Sequence, residues 1–241
     1  MISKAEIKRI RALSSKKQRE LEGMFVVEGE KMVAEALESD FEVVSVYRTS
    51  EIGEDAMRQI SQLSSPSPAL AVLRIPKQLS DEETESIIAS RPLALALDAV
   101  RDPGNLGTIL RIADWFGIDA VFASPDTVEL YNPKTVQATM GAIFRKKIVY
   151  CELPRLLDRF ASAGMPVYGT FLDGEDIYSC ELRQEGLIVM GSESFGIGEE
   201  CAKRVSHRLF IPPYPQGAQT SESLNVAVAT AITCALFRKG R

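Results

Sequence analysis

The most informative stretch of the sequence is Leu187-Ile188-Val189-Met190-Gly191-Ser192-Glu193-Ser194-Phe195-Gly196, in which a short apolar run leads into a polar turn that contains glycine. The run is apolar at every position, which is typical of a parallel strand covered on both faces. A second such run, Leu93–Leu97, is followed directly by Asp98. From residue 91 onward apolar strands alternate with helical patterns, and this alternation predicts a doubly wound α/β fold with a parallel sheet. Ligands of such sheets bind beyond the carboxyl ends of the strands, so chemistry is expected in the turns that follow them.

The composition excludes several classes of protein. The chain has 241 residues, of which 45% are hydrophobic and 25% are charged, as in ordinary globular proteins and unlike disordered or fibrous ones. Its apolar runs fall well short of the roughly 20 residues that cross a membrane, and the polar N-terminus has no hydrophobic signal region. We therefore expect a cytoplasmic protein with no membrane partner.

The residues that most often bind metals are scarce and dispersed. The four cysteines, at positions 151, 180, 201 and 234, have no paired spacing, and His207 is the only histidine. This pattern predicts neither a disulfide framework nor a zinc site, and we expect no metal. Any mechanism that needs a histidine must use His207.

Charge is distributed unevenly along the chain. The net charge is −5, which argues weakly against a nucleic-acid partner. Residues 1–22 nevertheless hold seven basic and three acidic side chains, a net charge of +4 that leaves −9 for the rest. A basic segment on an acidic body is compatible with an RNA contact at one end of the chain, and equally with a solvated helix of mixed charge.

The first ninety residues are predicted to form a small α/β unit. Strands are expected at 25–27, 42–47 and 69–75, and helices over 4–20, 30–38 and 54–63. Residues 76–91 are polar and acidic, are compatible with a short helix, and form the best candidate linker. The strands predicted after the linker are 93–98, 120–123, 147–150, 167–170, 187–191 and 208–211. The helices predicted there are 105–116, 133–140, 154–163, 199–203 and 223–238.

The turn after the first strand of this second region, Asp98 to Gly107, leads into a helix and carries Asn105. Glycines at a helix start can present backbone N–H groups to an anion, but the pattern is neither GxGxxG nor a P-loop. Arg111 lies opposite the apolar face of the predicted helix. Taken alone, it is interpreted as a surface arginine.

The turn from Gly191 to Gly198 has a superficial likeness to the nucleophile elbow of serine hydrolases, with Ser194 as the nucleophile. A hydrolase also needs a downstream acid and a histidine. His207 stands only thirteen residues after Ser194, ahead of any plausible acid, so the hydrolase interpretation is rejected. Taken alone, Glu193 is interpreted as a capping or loop carboxylate.

The third turn runs from Ile211 through a proline-rich stretch into a helix that is apolar almost all round. A helix of this kind is buried, either inside the domain or against another subunit. Ser223 is predicted to be its N-terminal capping residue, and Asn225 a polar residue of its first turn.

Three motifs occur in order, each at a predicted strand-to-helix junction. They are Asn-x-Gly-x-x-x-Arg at 105–111, Gly-x-Glu-x-x-Gly at 191–196, and Ile-Pro followed by Ser-Leu-Asn-Val between Ile211 and Val226. Together they resemble the SpoU (TrmH-type, SPOUT superfamily) RNA ribose 2′-O-methyltransferases over about residues 93–238. The stretch Phe25-Val26-Val27-Glu28-Gly29 is similar to that family's ribosomal-protein-like RNA-binding domain.

The resemblance implies a domain order, a fold and a cofactor. Residues 1–76 would form a small α/β RNA substrate-binding domain, and residues 77–91 a linker. Residues 92–241 would form a parallel-sheet α/β methyltransferase domain with a C-terminal trefoil knot, an exception to the general absence of knots. Members of the family are usually homodimers, so a homodimer through the knotted domain is expected. The cofactor would be S-adenosyl-L-methionine, held in the knot by Thr170, Gly191, Ile211 and Leu224.

The resemblance also implies the reaction and its residues. A methyl group would pass to a ribose 2′-hydroxyl, a target that RNA has and DNA lacks, so no DNA partner is expected. Arg111 would stabilise the developing alkoxide rather than act as a base, because a guanidinium with a pKa above about 12 is a poor proton acceptor. Four further catalytic residues would orient Arg111 and the RNA: Asn105, Glu193, Ser223 and Asn225.

Three hypotheses about function stay open on the sequence alone. Methylation of 23S ribosomal RNA is favoured, because an N-terminal RNA-binding domain is typical of the ribosomal branch of the family. The alternatives are methylation of transfer RNA and a catalytically silent RNA-binding protein on the same fold.

Two departures from the family pattern bear on substrate choice. Ser194 replaces a common glycine, and the stretch between Ile211 and Ser223 is longer than usual.

Overall fold

Two compact units make up the protein. The structure is a computed structural model that describes residues 2–215 and 221–239. The first unit comprises the residues up to Lys77 together with Glu129–Arg145. The second comprises Gln78–Val128 together with the residues from Lys146 onward.

The elements up to residue 77 alternate between helix and strand. In chain order they are α1 (Lys4–Ala12), α2 (Lys16–Glu22), β1 (Met24–Glu28), α3 (Glu30–Glu38), β2 (Val43–Arg48), α4 (Thr49–Ile52), α5 (Glu54–Ile60) and β3 (Ala69–Arg74). The single helix predicted over 4–20 is two helices, because Ser15 caps the second one by accepting a hydrogen bond from the Gln18 N–H at 3.3 Å.

The elements after residue 77 begin with α6 (Asp81–Ala89), β4 (Leu93–Leu97), α7 (Pro103–Trp115), β5 (Ala120–Ala123) and α8 (Pro133–Thr139). A short 3-10 helix, Ala142–Phe144, follows α8. The remaining elements are β6 (Ile148–Tyr150), α9 (Leu153–Ser162), β7 (Val167–Asp176), β8 (Gly186–Met190), α10 (Glu199–Ala202), β9 (His207–Phe210) and α11 (Val226–Phe237).

The first unit is built on an antiparallel sheet in the order β1-β3-β2. Its central strand, β3, is buried from Ala69 to Leu73, and β1 pairs with it from Met24 opposite Arg74 to Glu28 opposite Leu70. Burial of apolar side chains drives this packing. The core on one face of the sheet joins α1 and α5 to the strands through Ile10, Leu13, Val26, Met57, Ile60, Leu70 and Val72.

Residues 129–145 complete the first unit, although the sequence analysis assigned them to the 92–241 domain. The ring of Tyr131 lies 4.6 Å from that of Phe25, and the ring of Phe144 lies 5.5 Å from that of Phe41. Arg19 is almost fully buried and forms an ion pair with Glu129. The segment therefore packs its apolar and charged groups on the first unit, an outcome of long-range contacts that local sequence patterns do not reveal.

The second unit is built on a six-stranded sheet in the order β6-β5-β4-β8-β7-β9. All of its strand pairs are parallel, as the alternation of strands and helices predicts. Every residue of β4 and β8 is buried, which confirms that these apolar runs are covered on both faces. On one face, Ala96, Phe122 and Val189 pack with the side chains of α9.

Residues 78–91, expected to be a linker, belong to the second unit and contain a helix. Ser80 and Glu83 form a capping box at the start of α6, which satisfies two backbone donors of its first turn. Ile88 of this helix is buried in the core of the second unit. None of the described helices is long and apolar enough to cross a membrane.

Candidate active site

Neighbouring strand ends bring the first two predicted turns together. Leu97 at the end of β4 is paired with Met190 at the end of β8, so the turns that follow start side by side. The Asp98 N–H donates to the Met190 carbonyl at 2.9 Å, and the Asp98 carboxylate accepts from the Gly198 N–H at 2.8 Å. The third turn leaves β9 for α11, and α11 packs against α7.

The start of α7 positions Asn105. Asp102 is the N-cap and accepts a hydrogen bond from the Asn105 N–H at 2.8 Å. Pro103 occupies the first helical position, where its missing N–H costs nothing. The predicted apolar face of the helix, including Leu106 and Ile109, is buried. Asn105 is thereby fixed in the first turn of the helix, half-buried, with its amide available to neighbouring turns.

The turn after β8 closes on itself. Ser192 and Gly196 exchange two backbone hydrogen bonds, of 3.0 and 2.9 Å. Gly196 has the left-handed backbone conformation of the turn, with a φ of 66°. Gly191 allows the turn to close, because a Cβ there would collide with the backbone of Gly196 and Ile197. The turn therefore accommodates Ser194, and the effect of this residue on substrate choice stays a prediction.

The cap of α11 differs from the prediction. Asn225, not Ser223, is the N-cap, and its side-chain oxygen accepts from the N–H groups of Ala227 and Val228 at 3.0 and 3.2 Å. Asparagine binds the first backbone donors of a helix as well as serine does, and Asn225 directly precedes the apolar run that begins at Val226. Part of the stretch predicted to be longer than usual between Ile211 and Ser223, residues 216–220, lies outside the described residues.

A hydrogen-bonded chain joins one residue from each of the three turns. The Asn105 side-chain amide donates to a carboxylate oxygen of Glu193. The Asn225 amide in turn donates to the Asn105 side-chain oxygen at 2.9 Å. Asn105 therefore uses both ends of its amide, and residues 88 and 120 positions further along the sequence meet on it.

Arg111 and Ser223 are outside this hydrogen-bonded chain. Arg111 lies on the exposed side of α7, and its guanidinium has no hydrogen bond or ion pair with the residues that the structure describes. Ser223 is exposed, and its backbone carbonyl accepts a hydrogen bond from the Ser221 hydroxyl at 3.4 Å. Three of the five predicted catalytic residues are thus joined by hydrogen bonds, with Asn105 in the middle.

A cavity of about 480 Å³ lies beside the hydrogen-bonded chain. All four residues predicted to hold a cofactor line it: Thr170, Gly191, Ile211 and Leu224. Glu193 and Ser223 line it as well, so two predicted catalytic residues face the same space. The geometry brings four of the five predicted catalytic residues, all but Arg111, next to the four predicted cofactor-binding residues.

The sequence analysis missed several residues of this cavity. Among the described residues of the lining, the only charged side chains are Glu193 and Glu222, so the cavity is suited to a cationic ligand. Met190, Phe195 and Leu172 add apolar surface. The strand-end position of Met190 was a signal in the sequence that could have placed it at the site. Leu172 had no such signal, because it lies in an irregular part of β7 where both Thr170 and Glu175 pair with Leu209.

The cysteines and the histidine do not line this cavity. Burial raises the pKa of Cys201 and of Cys234 to about 12 and that of Cys151 to about 11, so these thiols are protonated and weakly nucleophilic at neutral pH. His207 packs on the ring of Tyr168 at 5.0 Å and lines a different cavity. No cluster able to hold a metal ion is found among residues 2–215 and 221–239.

Family models match nearly the whole chain. Residues 92–235 match the model of the SpoU rRNA methylase family, and residues 4–84 match the MRM3-like substrate binding domain. The chain belongs to the SpoU rRNA methylase family. The SpoU match contains every residue of the hydrogen-bonded chain and of the cavity. The match to the substrate-binding domain ends at residue 84 and so leaves out the 129–145 segment of the first unit.

Individual SpoU relatives align over similar lengths. The 23S rRNA (guanosine(2553)-2′-O)-methyltransferase RlmP of Bacillus subtilis is 32% identical, over 94% of this chain and 93% of its own. A solved structure of a TrmH-family protein from Porphyromonas gingivalis is 36% identical, with a TM-score of 0.85 over 99% of this chain and 98% of its own. An AdoMet-bound rRNA methyltransferase from Sinorhizobium meliloti is 27% identical, with a TM-score of 0.84 over 99% of this chain and 96% of its own.

Proposed function

We propose that this SpoU family member transfers a methyl group from S-adenosyl-L-methionine to a ribose 2′-hydroxyl of 23S ribosomal RNA. The observation that carries the proposal is the hydrogen-bonded chain from Glu193 through Asn105 to Asn225, beside a cavity suited to a cation. The Bacillus subtilis relative, aligned along almost the whole chain and named for 23S rRNA, supports ribosomal over transfer RNA as the substrate.

The cavity fits S-adenosyl-L-methionine in size, charge and polarity. Its volume falls within the range of about 300 to 1,000 Å³ that is usual for small-ligand sites. The carboxylates of Glu193 and Glu222 favour a sulfonium cation, and Ile211 and Leu224 offer apolar contact to the rest of the molecule. When bound, the cofactor supplies an electrophilic methyl group. We assign its binding to Thr170, Gly191, Ile211 and Leu224.

The hydrogen-bonded chain, Arg111 and Ser223 would position the ribose and stabilise charge. Asn105 holds Glu193 and Asn225 in fixed orientations, and such positioning supplies a large share of the rate in a two-substrate reaction. The guanidinium of Arg111, which is exposed and has no partner among the described residues, would stabilise the oxygen as the hydroxyl loses its proton. Ser223, with its side chain in the cavity lining, would contact the RNA.

The first unit offers a surface for the RNA backbone. Lys4, Lys8 and Arg11 are exposed on α1 at positions i, i+4 and i+7, and so share one side of the helix. We call these three residues the α1 basic stripe. None of them forms an ion pair with a described residue. Cations of this kind bind phosphates and release counterions, which suits the substrate-binding role proposed for this unit.

Three further features belong to the proposal. The C-terminal segment of the second unit would form the trefoil knot of the family around the cofactor. A homodimer would form through α11 and α7, which expose Val228 and Trp115. The protein would work in the cytoplasm, a reducing compartment in which its four free cysteines stay as thiols.

The test of the function is methyl transfer from labelled S-adenosyl-L-methionine, with unmodified 23S rRNA and transfer RNA offered separately. Label in 23S rRNA that maps to a 2′-O-methyl position by nuclease resistance is the expected result. Label in transfer RNA alone would move the assignment to that substrate. An absence of label from both RNAs would refute the enzymatic function.

Arg111→Ala tests the catalytic assignment. We expect methyl transfer to be abolished and cofactor binding, measured by calorimetry, to fall only modestly. Arg111→Lys should recover little, because an ammonium cannot present the planar pair of donors of a guanidinium. Arg155→Ala is the matched control, since Arg155 is exposed on α9 and lines no part of the cavity. Near-normal turnover by Arg111→Ala would contradict the assignment.

A further inference from the structure

Phe195 exposes its aromatic ring beside the proposed methyl-transfer site. The residue is 83% exposed and lines the cavity, as does Leu172, which is 70% exposed. A single exposed apolar side chain is common on protein surfaces. Two of them at the rim of one cavity, next to the hydrogen-bonded chain, form an apolar edge that a ligand can cover.

The backbone holds the Phe195 ring outward. Ser192 and Gly196 pair through two hydrogen bonds, and the Phe195 N–H donates to the Ser192 hydroxyl at 3.2 Å. On the C-terminal side, Ile197 is buried in the core of the second unit and anchors the turn. The ring is thus presented by an ordered turn, so little conformational entropy is lost when a partner binds to it.

We infer that Phe195 is a stacking platform for an unstacked nucleobase of the substrate RNA, and so a substrate-positioning residue of the reaction. The inference rests on the proposed function. Proteins that act on single-stranded or splayed RNA commonly stack bases on exposed aromatic rings. Phe195 is two residues beyond Glu193 in the same turn. A base on the ring therefore brings its ribose, or that of its neighbour, close to the hydrogen-bonded chain.

The adenine ring of the cofactor is the alternative occupant. The cavity interior is formed by the less exposed part of the lining, which includes Met190, Gly191 and Ile211. The Phe195 ring, by contrast, faces solvent over most of its surface. A ring on the outer edge is better placed for the larger substrate, which approaches from solution, than for a cofactor held inside.

Phe195→Ala, Phe195→Tyr and Phe195→Leu separate stacking from simple apolar contact. We expect kcat/KM for 23S rRNA to fall about 5- to 150-fold in Phe195→Ala, with the Kd for S-adenosyl-L-methionine unchanged. Phe195→Tyr should retain activity, and Phe195→Leu should not, because leucine has no π face. Tyr178→Ala is the matched control, since Tyr178 is a 56% exposed aromatic residue outside the cavity lining. Any one of three results would overturn the inference. They are an unchanged kcat/KM in Phe195→Ala, equal activity of the Phe195→Leu and Phe195→Tyr variants, and a loss confined to cofactor binding.

A fluorescence measurement keeps this inference separable from the proposed function. Phe195→Trp in a Trp115→Phe background carries one indole, because Trp115 is the only tryptophan of the chain. Quenching of this indole by a short single-stranded RNA of mixed sequence is expected. Quenching in a protein that transfers no methyl group would support stacking and refute the proposed function. Methyl transfer without quenching would overturn stacking alone, and the absence of both would overturn both.

Discussion

Asn105→Asp is the sharpest perturbation of the candidate site. The Asn105 amide donates to Glu193 and accepts from Asn225 at 2.9 Å. Aspartate has nearly the same shape and keeps an oxygen for Asn225. It replaces the donor that faces Glu193 with a second carboxylate oxygen. The substitution therefore removes one hydrogen bond and introduces repulsion between like charges, with little change in volume.

The expected loss follows from two contributions. A hydrogen bond to a charged group contributes about 1.5 to 3 kcal/mol. Two unit charges about 4 Å apart repel by about 1 kcal/mol in water and about 4 kcal/mol near a protein surface, and the lower figure applies because Glu193 is exposed. A total of roughly 2.5 to 4 kcal/mol in the transition state corresponds to a loss of roughly 10² to 10³ in kcat/KM.

The assay is the initial rate of methyl transfer to 23S rRNA at neutral pH, with wild type and variant compared at the same RNA and S-adenosyl-L-methionine concentrations. Asn105→Ala is the control, since it loses both hydrogen bonds and gains no charge. Adding Glu193→Gln to it should restore no activity, because alanine offers the glutamine amide no acceptor.

The double variant Asn105→Asp/Glu193→Gln completes the test. The glutamine amide can donate to the new aspartate, so the pair is restored with its donor and acceptor exchanged, and much of the lost activity should return. Near-wild-type activity of Asn105→Asp would refute the reasoning. So would a double variant that is no more active than the single one, because the contact between the two residues would then have no part in the reaction.

Three other predictions concern the cavity, the α1 basic stripe and a buried thiol. Gly191→Ala places a Cβ against the backbone of the turn, so S-adenosyl-L-methionine binding by calorimetry should be lost; wild-type affinity would show that the turn can move. Alanine at all three positions of the α1 basic stripe should lower the slope of log K against log salt by about 2 to 3 in filter binding, and an unchanged slope would contradict a phosphate contact. Burial raises the pKa of Cys234 to about 12, so its contribution to stability is complete below the ordinary thiol value of 9.0 and is lost as pH rises above it. The fall in Tm between pH 9 and pH 11 should be smaller in Cys234→Ala, and an equal fall would assign the effect to other groups.

The second unit follows closely from local sequence patterns. The wholly apolar runs of β4 and β8 predict buried parallel strands, and the turns after them are where the candidate site lies. The contacts within the site depend on pairing between distant strands. Asn105 meets Glu193 because Leu97 is in register with Met190, and no local pattern specifies that register.

Some of the differences between the predicted and the observed structure had a signal in the sequence, and others had none. The spacing of Ser80 and Glu83 is that of a capping box, which marks the start of the short helix expected within the candidate linker. Ser15 likewise precedes Gln18 by three residues, the spacing of a helix start. The choice of Asn225 over Ser223 as a cap could not be made from propensity, because both residue types cap helices well.

The assignment of residues 129–145 to the first unit has a consequence for the evolution and engineering of such chains. The polypeptide passes from one unit to the other three times, at residues 77, 128 and 145. A recombination event with a single crossover after Lys77 would therefore join a new N-terminal region to the old 129–145 segment. Phe25 of the new region would then have to pack against a Tyr131 that evolved in contact with a different surface. Functional chimaeras of these proteins should exchange both stretches at once. The first unit is then inherited as a discontinuous pair of segments.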